Sequence, residues 1–361
     1  MSIPTSRRRL TPLGTTLVAL LALAACGTTA TDDTDTAGEA TEAAGDVTAA
    51  PADDAAGDDQ VRVAFITKPL DNVYFGSMVT GGEAAAEALG VDLMVAAAQN
   101  VSDDTGQASK LSSLVSQGFD CYILNPTSPT NLITPLTSAG DATIINIDLE
   151  MDFEGAAAQG VDVTTFIGTV NEDAGAAGGE AMLGLVPEGS QVAIIGTLAQ
   201  DAGNIARQAG FNSVVEGKLE VVQTVSADAD RVKAKNAAAA IMRANPDVKG
   251  FFTPAGTQAM GIQEAIEQEG RTGEVVVVGI DGTEEELQSI ADGKLASTVE
   301  QFPYLMGYQA VQACVAAHEG STLPERVDTP VMIVTKDNAA AALASSPAPP
   351  EDFEVPNPFE D

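Results

Sequence analysis

Short apolar runs alternate with helix-length stretches from Gln60 to Asn338, and this alternation leaves few folds open to the chain. Strand-like Val61–Ile66 is followed by helical Gly76–Leu89, then Val91–Ala96, Thr105–Ser116, Tyr122–Leu124, Asn131–Ser138 and Thr143–Ile147. A second series opens at Phe166–Gly168 and continues through helix Glu172–Leu185, strand Gln191–Gly196, helix Asn204–Glu216 and strand Val221–Val225. It closes with helix Arg231–Ala244, strand Gly250–Thr253, helix Gln258–Gln268 and strand Glu274–Ile280. Repeated βα units build parallel sheets with right-handed crossovers and helices on both faces. A stretch of about 280 residues is more than one such core comfortably organises, so the pattern predicts two doubly wound α/β domains.

Five apolar runs lead into side chains suited to hydrogen-bonding a small neutral solute. Val61–Ile66 leads into Lys68 and Asn72, Tyr122–Leu124 into Asn125, Thr143–Ile147 into Asp148, Val275–Ile280 into Asp281, and Leu295–Val299 into Gln301. In open α/β sheets ligands bind in the crevice beyond the carboxyl ends of the strands, so these positions point at a site. Four of them also have a purely structural reading. Asp148 and Asp281 suit helix N-caps, Asn125 before Pro126 suits a turn, and Lys68 suits a solvated loop charge.

The start of the chain predicts export. Arg7-Arg8-Arg9 precede an apolar stretch from Leu13 to Ala25, a basic n-region and an h-region short for a membrane span. The stretch ends in Leu23-Ala24-Ala25-Cys26-Gly27, which resembles a bacterial lipobox with Cys26 as the lipidated thiol, so residues 1–26 read as a lipoprotein signal peptide. Ser6-Arg7-Arg8 weakly resembles a twin-arginine signal, but Thr11 and Pro12 favour the ordinary secretory route. Residues 27–59 hold ten acidic residues, no Lys or Arg, and almost nothing large to bury, the composition of a disordered, self-repelling tether. The tail 344–361, proline-rich and acidic, is expected to stay outside any core.

Formal charge is −35, and losing the three leader arginines takes it to −38. That balance argues against nucleic acid, whose binding needs Lys and Arg to displace counterions. Cys121 lies at an apolar strand start and Cys314 on an apolar helix face, which fits two buried free thiols; a disulfide between them remains open in an exported chain. The composition also argues against an enzyme. The single histidine, His318, has no acid–nucleophile partner motif, no His/Cys spacing suggests a metal or cofactor, and no phosphate loop occurs.

The stretch Val63-Ala64-Phe65-Ile66-Thr67-Lys68 with Asp71-Asn72-Val73-Tyr74-Phe75 resembles the opening of ribose-type sugar-binding proteins of ATP-binding-cassette (ABC) importers. Leu124-Asn125-Pro126-Thr127-Ser128, Ile147-Asp148, Val278-Gly279-Ile280-Asp281-Gly282-Thr283, Asp292-Gly293-Lys294-Leu295-Ala296-Ser297-Thr298 and Glu300-Gln301 continue the likeness in order. The resemblance implies a periplasmic binding protein type I fold: two similar lobes, joined by a hinge crossed three times, closing on a solute. The implied lobes are 60–168 with 302–328, and 169–301 with 329–343. It places ligand contacts on Asn72, Tyr74, Phe75, Asn125, Asp148, Asp281 and Gln301, a set able to accept and donate to hydroxyls.

Departures from the pattern are concentrated in the second lobe. Leu149 and Ile205 stand where the family has arginines, Ala229 where it has an aromatic, and Ala255-Gly256 after Pro254 where it has Asn-Asp. Arg207 is retained and reads as a structural ion-pair former. Lys68 resembles a lysine of some pentose- and furanone-type relatives, and Pro254 resembles the backbone-lined pocket of autoinducer-2 binders. Asp201 and Asn204 are candidate replacement contacts. The expected protein is a lipid-anchored, monomeric, extracytoplasmic binder of a small sugar or sugar alcohol that serves an ABC permease. A furanone-like signal binder or a ligand-presenting sensor subunit is the alternative.

Overall fold

The computed structural model of the chain describes residues 60–353, 355 and 357–359; the leader, Cys26 and the 27–59 segment lie outside the described residues. The first sheet contains β1 (Arg62–Thr67), β2 (Asp92–Ala97), β3 (Cys121–Leu124), β4 (Thr143–Ile147), β5 (Thr165–Thr169) and, far later, β11 (Arg326–Thr329). Their order is β11-β5-β4-β3-β1-β2, with every neighbouring pair parallel. The second sheet contains β6 (Gln191–Gly196), β7 (Glu220–Ser226), β8 (Val248–Phe252), β9 (Val276–Asp281), β10 (Ser297–Gln301) and β12 (Val331–Val334), in the order β12-β10-β9-β8-β6-β7. It is parallel except for the antiparallel β10–β12 edge. The sequence reading of two doubly wound parallel-sheet lobes matches this architecture.

The strands are continuously apolar because both of their faces are covered. On β1, Val63 and Phe65 meet α1 (Val73–Leu89) and α10 (Pro303–His318), while Ala64 and Ile66 meet α2 (Asp104–Val115) and α3 (Ile133–Leu136), beside the short α4 (Phe153–Ala157). On β6, Val192 and Ile194 pack with α5 (Asn171–Leu185) and α6 (Ala202–Val215). Ala193 and Ile195 pack with α7 (Arg231–Ala244), α8 (Gly256–Gln268), α9 (Glu284–Ala291) and α11 (Ala339–Ser345). The chain passes between the sheets from β5 to α5, from β10 to α10, and at Pro330 between β11 and β12.

Several sequence expectations change. Helix α1 begins three residues earlier than Gly76 because the Asn72 side chain accepts from the Tyr74 N–H at 3.0 Å and caps it, which puts Tyr74 and Phe75 in the first helical turn. The helix expected over Asn131–Ser138 is one turn, and strand β10 reaches Gln301 instead of stopping at Val299. Cys121 and Cys314 are not free thiols but a disulfide that ties β3 to α10, with Cα atoms 5.7 Å apart. The tail also packs: the Phe353 ring lies 4.7 Å from that of Phe302, and Phe359 rests on the core of the first sheet. Composition averaged over a proline-rich acidic segment hid these two aromatic anchors.

Candidate functional site

Both sheets present the carboxyl ends of their central strands to one cavity of about 360 Å³. From the first sheet, the Lys68 ammonium donates to Asp148 Oδ2 at 2.9 Å and stands 5.1 Å over the Phe75 ring. From the second, Arg207 Nη1 lies 3.6 Å from Asp281 Oδ1. Gln301 bridges that pair, its Nε2 donating to Asp281 Oδ1 and its Oε1 accepting from Arg207 Nη2, each at 2.9 Å. Asp281 Oδ2 takes the Gly256 N–H at 2.9 Å, at the start of α8. Both aspartates hold positive φ, 65° at Asp148 and 135° at Asp281, and neither caps a helix; Thr283 caps α9.

The electrostatics follow from burial. Desolvation raises the Asp281 carboxyl above its ordinary value, against the pull of Arg207 and the Gly256 N–H. It also lifts the Tyr74 phenol well above its usual range, with the Asp148 charge adding to the effect, and the Tyr74 hydroxyl has no hydrogen-bond partner among the described residues. Glu286 behind Asp281 is fully buried and held by Thr283 and Thr298, and burial with the Asp281 charge pushes it up to about 8. A buried unpartnered hydroxyl between two carboxylates is a group prepared for a polar ligand atom.

Most expected positions converge on this cavity. Lys68, Asn72, Tyr74, Phe75, Asp148, Asp281 and Gln301 line it, as do Pro254, Asp201 and Asn204. Asn125 does not: it is fully buried, its Nδ2 donates to Met78 Sδ at 3.3 Å, and its carbonyl accepts from Gln107. Asn204 reaches the wall but is already occupied, accepting from the Thr197 N–H and donating to the Leu198 carbonyl, so it shapes the loop. Asp201 caps α6 through one carboxylate oxygen. The Pro254 carbonyl already accepts from Arg207 Nη1 at 2.8 Å.

Sequence reasoning placed Arg207 outside the site, yet it lines the cavity and organises its second-lobe wall. The usable signal was its spacing from Gly210-Phe211 on a helix that starts at a strand end; the arginine position filled by Ile205 drew attention away. Thr197 and Thr283 from loops and Thr257 from the first turn of α8 were also missed. Among the described residues no group of His, Cys, Asp and Glu is arranged to hold a metal, and no helix is long and apolar enough to cross a membrane.

The periplasmic binding protein domain family matches residues 63–322. The D-allose-binding periplasmic protein of Escherichia coli K12 is 30% identical over 267 residues, covering 72% of this chain and 86% of that protein. The ribose import binding protein of Bacillus subtilis 168 is 28% identical, covering 77% and 88%. Among solved structures, an ABC transporter solute binding protein from Mycobacterium smegmatis with bound glycerol superposes with a TM-score of 0.69 at 27% identity, covering 81% of this chain and all of that one.

Proposed function

The chain belongs to the periplasmic binding protein domain family, and on that premise we propose that it is the extracytoplasmic solute-binding component of an ABC importer, taking a small sugar or sugar alcohol between its lobes. One observation carries the reading: a cation–carboxylate pair from each sheet, Lys68–Asp148 and Arg207–Asp281, faces the same cavity. Such pairs offer hydroxyls both donors and acceptors without net charge, while Phe75 supplies an apolar face for ring C–H groups. Solute contacts to both walls favour the closed arrangement, and the segments at the three sheet crossings absorb the dihedral change. The lobes expected as 60–168 with 302–328 and 169–301 with 329–343 move by one residue at two crossings, because Thr169 and Thr329 pair in the first sheet. The closed monomer docks on a permease, held at the membrane by lipid on Cys26 through the 27–59 tether. The furanone alternative keeps Lys68 but loses support at Pro254, whose carbonyl is engaged by Arg207.

The test is a thermal-unfolding screen of the mature chain against pentoses, hexoses, deoxysugars, polyols, furanones, amino acids and nucleosides. A ligand at a hundred times its dissociation constant adds about 2.7 kcal/mol, a visible rise in the midpoint. A response confined to sugars or polyols is expected. Silence from every carbohydrate with a response from another class overturns the reading.

A further inference from the structure

Beside the sugar cavity lies a smaller chamber of about 160 Å³, and the two share Tyr74, Asp281, Thr283 and Gln301 as walls. Its far side is closed by Ser77 of α1, Glu284, Glu300, Pro303 and the tail residues Ser346 and Pro347. Glu300 is 4% exposed, lines the chamber, and its Oε2 has no hydrogen-bond partner among the described residues. Its backbone pairs with β9 and β12 beside Asp281 and Met332, and its Cβ and Cγ fill the space over Gly282, which therefore tolerates no side chain. The groups able to ionise around the chamber are Tyr74 from α1, Asp281 and Glu284 from the β9–α9 segment, and Glu300 itself. Among the described residues none that lines it is Lys, Arg or His.

Resting on the sugar-binding reading above, we propose that this chamber is an additional subsite which selects a sugar carrying an ammonium group, with Glu300 as its acceptor. Asp281 is shared with the main cavity and already faces Arg207, whereas Glu284 and Glu300 on the chamber side have no cation partner among the described residues, so the chamber offers carboxyl groups without a matching protein cation. An orphaned buried carboxyl is costly unless a donor reaches it, and a protonated amine supplies a charge-assisted donor. Burial alone raises Glu300 to about 8, so near neutral pH the free protein holds it as the acid. When an ammonium enters, the O–H bond of Glu300 breaks, its proton passes to the buffer, and the carboxylate pairs with the ligand.

The experiment is titration calorimetry of the mature chain at about pH 6.5, where both groups begin protonated, in two buffers of different ionisation enthalpy. The probes are D-allose, D-ribose, D-glucose and D-galactose, each against its amino-deoxy derivatives. At least one amine is expected to bind about tenfold tighter than its neutral parent, with a buffer-dependent enthalpy that reports proton release. Glu300→Gln should bring that amine-to-parent ratio close to one, and its thermal midpoint checks that it folds. A neutral sugar that binds while every amine is equal or weaker overturns the chamber proposal and leaves the sugar reading standing. A preferred amine bound without proton release, or with its preference intact in Glu300→Gln, removes Glu300 as the acceptor and overturns it too. If neither these neutral sugars nor their amines bind, the chamber proposal fails, and the wider thermal screen decides the sugar reading.

Discussion

Asp148 and Asp281 each close a central strand with a backbone turned to positive φ, a conformation that costs roughly 1–3 kcal/mol for a residue with a Cβ and persists where the surroundings enforce it. The turn aims each carboxylate into the cavity, and each carboxylate still has lone pairs to offer after its protein partners are counted. Asp281→Ala and Asp148→Ala are each expected to weaken binding of the responding sugar by about 1.5–3 kcal/mol in titration calorimetry; an unchanged dissociation constant removes that residue from the site. Glu300 gives a different readout. Its folded-state value of about 8 lies above its ordinary 4.5, so between those values the folded protein binds a proton that the unfolded chain releases. Stability from this group is therefore intact in acid, falls as pH rises through that window, and levels off above it. Glu300→Gln should stabilise the protein at pH 8 by roughly 2–4 kcal/mol more than at pH 4.5, seen in denaturant melts at the two pH values. Equal effects at both would show that the carboxyl ionises without penalty.

At the scale of elements, each lobe brings two helices into backbone contact through paired glycines. A Cβ on Gly81 would stand 1.9 Å from the Tyr304 carbonyl oxygen, and one on Gly307 would stand 1.8 Å from that of Met78, where α1 crosses α10. In the second lobe Gly175 and Gly210 stand in the same relation to the Arg207 and Glu172 carbonyl oxygens, where α5 crosses α6. These crossings set the site, because α1 carries Tyr74 and Phe75 and α6 carries Arg207. Gly210→Ala must push α6 off α5, so it is expected to cost at least about 2 kcal/mol in chemical denaturation and to weaken ligand binding by moving Arg207. A wild-type melt and affinity would mean that the crossing yields freely. The alternating βα pattern was legible because strands buried on two faces are apolar throughout, whereas the glycine crossings were not, since closeness of two helices leaves no periodic trace. Tyr74 and Phe75 are legible through the family resemblance of residues 71–75 and not through the helix pattern, which starts α1 three residues late. The burial of Asn125 and the place of Arg207 depend on partners from distant parts of the chain, Met78 and Gln301, and the saturation of Asn204 depends on the fold of its own loop around Thr197 and Leu198.

Across the whole molecule, chain connections beyond the three sheet crossings tie distant parts together. The Cys121–Cys314 disulfide closes a loop across a sequence separation of 193 residues, fastening the late helix α10 to the first sheet. Reduction is expected to lower stability by about 2–5 kcal/mol, largely through the freed unfolded chain. It should leave ligand affinity nearly unchanged, since neither cysteine lines the cavity; a large affinity loss would mean that the bond shapes the site. The tail makes the second tie. It leaves the core of the second sheet at Ala339 and Ala342, passes Ser346 and Pro347 beside Tyr74, sets Phe353 on Phe302 at a sheet crossing, and ends with Phe359 on the core of the first sheet. Opening of the lobes therefore has to strip apolar contacts that bridge them, and two partly buried phenylalanines are together worth roughly 2 kcal/mol. Deleting residues 346–361 should shift the unliganded protein toward the open state by that amount, which reduces apparent affinity and speeds ligand release by up to about thirtyfold when closure precedes tight binding. Stopped-flow release rates and small-angle scattering of the ligand-free protein measure both effects. Unchanged release and an unchanged radius of gyration would show that the tail rides with one lobe and leaves the hinge free.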